Sequence, residues 1–97
     1  HVNGVELIRY YENSEPSYWL YTLKVENREN FIKMMAENGI MASELHKRND
    51  LHDYLNDYPA TLQGLDSFYD KMVHIPCGWW VAKEDLDKMI NLIKKGW

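Results

Sequence analysis

The run Tyr18-Trp19-Leu20-Tyr21-Thr22-Leu23-Lys24-Val25 carries large apolar side chains at odd and even positions alike. Aromatic, aliphatic and threonine residues favour a pleated strand. Side chains alternate between the two faces of a strand, so one that is apolar on both belongs inside a sheet rather than at its edge. Upstream, Val5-Glu6-Leu7-Ile8-Arg9-Tyr10-Tyr11 is a second β-type run. The stretch from Glu12 to Ser17, with Pro16, reads as the turn between them. The two runs are expected to form a hairpin.

Helices should follow. Asn27 is placed to cap a helix running to about Asn38, its side-chain oxygen accepting a first-turn amide proton. Phe31, Met34 and Met35, with Ile32 beside them, have the spacing of a buried stripe. Gly39 sits where a helix needs a left-handed terminal residue. Ile40 to Glu44 reads as a returning strand. From Leu45 to Tyr58 charge replaces periodicity, which predicts a loop with one helical turn around Leu51 to Leu55. Leu65, Phe68, Tyr69 and Met72 mark a second helix, and Val73-His74-Ile75 a short strand stopped by Pro76. The last helix is the clearest. Leu86, Met89, Ile90, Ile93 and Trp97 share one face, Glu84 and Asp85 lie in the first turn, and Lys94 and Lys95 in the last. That order complements the helix dipole. Val81 is placed to staple onto Leu86.

The expected fold is α+β, in the order β-β-α-β-loop-α-β-α. It is a small, mostly antiparallel sheet of about four strands with about three helices packed on one face. Residues 1–97 read as a single domain, since a chain of 97 residues hides only about 65% of its extended surface and supports one core. Eleven basic against fifteen acidic residues give a net charge of −4, which leaves no broad basic face for nucleic acid. No apolar run approaches the roughly 18 residues of a membrane span. His1-Val2-Asn3-Gly4 has neither the basic nor the apolar region of a secretory signal. The single cysteine, Cys77, excludes an intrachain disulfide and fits a reducing, cytoplasmic setting. The start at His rather than Met suggests a piece of something longer.

Polar chemistry concentrates in His46-Lys47-Arg48-Asn49-Asp50-Leu51-His52-Asp53. Imidazole and carboxylate are zinc ligands, but the spacing matches no established metal motif and no cysteine is near. The segment is either a solvated, charge-balanced loop or part of a ligand wall. In the second case the Arg48 fork suits phosphate or carboxylate, and the Asn49 amide suits sugar hydroxyls. Cys77, in a turn after Pro76, fits a buried structural thiol better than a nucleophile, and His74 fits a satisfied strand residue. Trp79 and Trp80, with Tyr18, Trp19 and Tyr21, are more aromatic surface than one small core hides comfortably. They are either core or the centre of an interface. There is no phosphate-cradling glycine loop, nucleophile elbow or zinc signature.

Taken in order, several segments resemble the C-terminal portion of the DegT/DnrJ/StrS family of sugar aminotransferases. They are Ser17-Tyr18-Trp19-Leu20-Tyr21, Asn27-Arg28-Glu29-Asn30-Phe31, Glu37-Asn38-Gly39-Ile40 and His46-Lys47-Arg48-Asn49-Asp50. Leu62-Gln63-Gly64-Leu65-Asp66-Ser67-Phe68 and His74-Ile75-Pro76-Cys77-Gly78-Trp79-Trp80 complete the set. The resemblance covers about residues 16 to 97. It implies the small C-terminal domain of a pyridoxal-phosphate enzyme of the aspartate-aminotransferase fold that moves an amino group from glutamate to a nucleotide-linked keto-deoxysugar. It implies that the catalytic lysine and most cofactor contacts lie in a missing N-terminal domain, so that this chain alone binds no cofactor, has no catalytic residue and is inactive. It further implies a homodimer, and it makes His46, Arg48 and Asn49 the candidates for sugar or cofactor-side contacts; Trp79 and Trp80, from their aromatic surface, remain the interface candidates. Many members have a His-Tyr and proline-rich stretch where this chain has His46 to Asp50, which implies a different sub-branch and substrate. The alternative is a free-standing, non-catalytic module that binds a nucleotide sugar or a protein partner.

Overall fold

The computed structural model describes residues 1–97. Its elements are β1 (Val5–Leu7), β2 (Tyr21–Val25), α1 (Arg28–Glu37), two 3₁₀ turns (Asn49–Leu51 and Asp53–Leu55), α2 (Gln63–Tyr69), β3 (Met72–Ile75) and α3 (Lys83–Lys95). The sheet is antiparallel in the order β1-β2-β3. The aromatic-rich strand is therefore central, as its composition predicts. It starts only at Tyr21, because Tyr18 to Leu20 stay outside the ladder. The hairpin is present but β1 is three residues long, and its partners on β2 are Val25, Lys24 and Leu23.

The alternation of side chains sorts the sheet into two faces. Val5, Leu23, Val25 and Val73 share one face, and α1 and α3 cover it with Phe31, Met35, Met89 and Ile93. Trp97, just past α3, places its ring edge-on to Phe31 at 5.0 Å and donates its indole N–H to the Glu26 carbonyl at 2.7 Å. α2 supplies nothing to this core. Thr22, Met72 and His74 project to the opposite face.

Three local details depart from the sequence reading. Asn27 does not cap α1 through its side chain. Its backbone is left-handed (φ 51°, ψ 54°), a conformation Asn tolerates, and this turns the chain sharply from β2 into the helix. Its carbonyl, rather than its amide side chain, accepts the first helical bond, from Phe31 N–H at 3.2 Å. Ile40 to Glu44 does not pair as a strand. Only Ser43 bridges to His74, with bonds of 3.1 and 2.8 Å, which leaves three strands. The reason lies one turn earlier. Gly39 (φ 74°) closes α1 with bonds from Gly39 N–H to the Ala36 carbonyl and from Ile40 N–H to the Met35 carbonyl. Ile40 is thereby committed to the helix end. Finally, the helical turn expected around Leu51 to Leu55 is two 3₁₀ turns, hinged at His52 in extended conformation.

Candidate functional site

The outer face of the sheet, away from the α1–α3 core, carries the polar chemistry. Thr22 and His74 are cross-strand partners, and the Thr22 hydroxyl lies 3.0 Å from His74 Nδ1. The His46 ring stands edge-on to His74 at 5.5 Å, and Trp19 lies 5.8 Å from His46. His74 is only 6% exposed, and its Nε2 is buried without a partner. The expectation of a satisfied strand histidine therefore holds for one ring nitrogen and fails for the other. Burial first, and the neighbouring His46 second, push the His74 pKa below its ordinary 6.5.

That shift has a consequence for stability. In the unfolded chain His74 binds its proton below about pH 6.5, whereas the folded chain resists it until lower pH. The stabilising contribution is therefore complete above 6.5 and falls away as the pH drops toward the depressed folded value. Urea unfolding at pH 7.5 and in mildly acidic buffer should show lower stability in the acid. His74→Leu should flatten that slope. An equal slope in wild type and variant would show that His74 is not its source.

A second cluster ties the charged loop to α2. Arg48 donates from Nε and one terminal nitrogen to both oxygens of Asp50 (2.9 and 2.7 Å), and from its other terminal nitrogen to Asp66 (2.6 Å). These bonds hold Asp50 below the ordinary carboxylate range and raise the Arg48 pKa, through Asp50 first and Asp66 second. Arg28, on α1, donates to the carbonyls of Tyr69 and Met72 and pairs with Glu44 at 2.8 Å. Both guanidinium carbons approach the Tyr69 ring, at 5.4 Å for Arg28 and 5.9 Å for Arg48. Tyr69 is thus held at the junction of α1, α2 and the loop.

His46, Arg48 and Asn49, named from sequence, line one open cavity of about 710 Å³. Leu65, Phe68 and Tyr69 of α2 and Met72 of β3 form its apolar side, with Tyr58 on the loop. His46 and Asn49 are exposed and free to meet a ligand, whereas Arg48 is committed to two carboxylates. Sequence reasoning missed Thr22, Arg28, Glu44, Asp66 and Tyr69, and named Trp19 only as a core or interface aromatic. The register that sets Thr22 opposite His74 was the one available signal, since both lie in readable strands. No three His, Cys, Asp or Glu side chains are arranged to hold a metal ion. Cys77 is half-buried, its sulfur 3.8 Å from the Tyr18 carbonyl oxygen.

Trp79 and Trp80 are not core: they are 94% and 63% exposed, their rings edge-on at 6.0 Å. Neither borders the cavity. Trp80 instead lines a smaller cleft with Met41 and Lys88. Elsewhere an apolar groove of about 510 Å³ runs between β1 and α3, where Leu7, Leu86 and Ile90 stay exposed and Val81 meets the same surface. Only 10 of 97 residues are buried, and the accessible surface is 7854 Å². A self-contained protein of 11.6 kDa would expose about 5,800 Å². The excess of roughly 2,000 Å² is on the scale of one side of an obligate interface.

No protein-family model matches the chain, and no curated protein matches it. Solved structures do. Sugar aminotransferase CalS13 from Micromonospora echinospora is 38% identical over 99% of this chain, with a TM-score of 0.95. AtS13 from Actinomadura melliaura is likewise 38% identical over 99%, with a TM-score of 0.93. A DegT DnrJ EryC1 StrS aminotransferase from Brucella abortus, at 20% identity over 95% of the chain, shares the fold with a TM-score of 0.84. In each case the chain spans about a quarter (26%) of the solved protein.

Proposed function

We propose, for a chain that belongs to the DegT/DnrJ/StrS family of sugar aminotransferases, that residues 1–97 are the C-terminal domain of a larger enzyme. The domain walls one side of the pocket in which an amino group passes to a nucleotide-linked keto-deoxysugar. The observation that carries this reading is coverage. Nearly the whole chain aligns, at 38% identity, with about a quarter of a sugar aminotransferase. His46 and Asn49 meet the sugar, and Arg48 positions the loop that bears them. The exposed Trp79-Trp80 pair and the unburied surface area fit a chain that normally meets an N-terminal domain and a second subunit. No helix is long and apolar enough to cross a membrane.

Pyridoxal phosphate does not fit the residues present here. A lysine that holds it needs an enclosed site, and none of the eight lysines is buried. Lys24, Lys71 and Lys83 are paired with carboxylates, and Lys88 donates to a backbone carbonyl. Lys47 is alone among them in reaching the cavity, at its exposed rim. The lysine and the cofactor site therefore belong to the missing part of the enzyme. The isolated chain, mixed with pyridoxal phosphate and a glutamate donor, should transfer no amino group, and borohydride should trap no stoichiometric adduct. One lysine modified to completion would overturn the assignment.

A further inference from the structure

We propose that residues 44–71 form a cap that opens and closes as one unit, separately from the core, and that the His46–Asn49 cavity exists only while the cap is closed. The stretch leaves the sheet and returns to it at one place. Ser43 and His74 exchange backbone bonds of 3.1 and 2.8 Å there. Arg28 clasps both ends from α1. It pairs with Glu44 at the outgoing end and donates to the Tyr69 and Met72 carbonyls at the returning one. His46 meets Trp19 and His74 close to the same neck.

Beyond the neck the cap is built on itself. No residue from Ser43 to Lys71 is buried, and no apolar side chain among them packs on the core. None of the backbone–backbone bonds made by residues 45–70 leaves the cap. Its two halves, loop and α2, are tied by Arg48, which donates to Asp50 and Asp66 and approaches the Tyr69 ring. Ion pairs near a surface are weak ties compared with a packed core. Segments with few buried contacts open well before the whole molecule unfolds. The cavity inherits this behaviour, because every residue lining it except Met72 lies between His46 and Tyr69. Parting the loop from α2 takes the cavity apart. A molecule seated in it, of whatever class, is held by the cap almost alone and favours the closed state.

Native-state amide exchange on the 97-residue chain tests the proposal. Leu55 and Tyr58 donate their amides within the loop, to the His52 and Leu55 carbonyls, and Asp66 donates within α2's first turn, to Leu62. In the wild type these amides should exchange through one shared opening, at least about tenfold more frequent than the one that exposes β2 and α3. Arg48→Gln should speed exchange at all three together, about five- to tenfold, and leave β2 and α3 unchanged. Asp66→Asn alters only the α2 end of the tie, yet it should speed Leu55 and Tyr58 as well. Protection in α2 equal to that in β2 would overturn the proposal, since the cap would then open only with the whole chain. A response to Asp66→Asn confined to α2 would overturn it too, because the two halves would then move separately. Equal acceleration in α3 would place the effect on global stability and leave no separate cap.

Discussion

Phe31→Ala should remove about 3–5 kcal/mol of folding stability, the range for truncating a fully buried aromatic ring. Phe31 has no exposure at all and belongs to a core of only eight residues. Its ring is also the surface on which Trp97 rests edge-on. The cavity left by the substitution would be bounded by α1, the sheet and the chain beyond α3, none of which can close it without moving the others. Domains of this size are stable by about 5–15 kcal/mol in total, so the variant should be marginal at 25 °C. Urea titration followed by circular dichroism measures the loss. A loss below about 1 kcal/mol would mean that Phe31 does not organise this core.

Arg28→Ala should have the next largest effect, about 2–4 kcal/mol, because its guanidinium is mostly shielded and serves three acceptors. The Tyr69 and Met72 carbonyls lie at the α2–β3 junction, where the chain leaves a helix and re-enters the sheet. Without Arg28 they lose a charged donor, and Glu44 loses its partner. Arg28→Lys should recover little, since one ammonium lacks the planar fork that reaches carbonyls and carboxylate together. The readout beyond stability is local. Amide exchange should rise at Tyr69 to Met72 and around Glu44 more than in α3, which Arg28 does not touch. Uniform acceleration throughout the chain would mean that Arg28 acts on global stability alone.

The elements that were legible in the sequence are those whose signal is local. α3 is visible from its apolar stripe and its charge order, and the central place of β2 from its crowded composition. Gly39 marks the end of α1 because few other residues adopt its backbone angles cheaply. Boundaries and non-local ties were not legible. Ile40 to Glu44 has the composition of a strand, but the preceding helix end fixes Ile40 and leaves only Ser43 to reach β3. The site was half visible: the charged loop offered Arg48 and Asn49 as a ligand wall, the family resemblance added His46, and all three line one cavity. That Arg48 ties the loop to α2 depends on Asp66, eighteen positions away. Nothing in the spacing of either residue announces such a pair. Trp79 and Trp80 read as core or interface from sequence, and exposure removes the first alternative.

The order of the strands bears on how the chain reaches this structure. β2 sits between a hairpin partner and β3, yet Thr22 and His74, which face each other across β2 and β3, are 52 positions apart. Closing that detour costs chain entropy before any ladder bond repays it, so pairing of β3 should be the slow step. Local helices can form and dissolve meanwhile without committing the chain. Until β3 arrives, the longest strand of the sheet presents an unpaired edge and an apolar face to other molecules. Refolding yield should therefore fall with rising protein concentration.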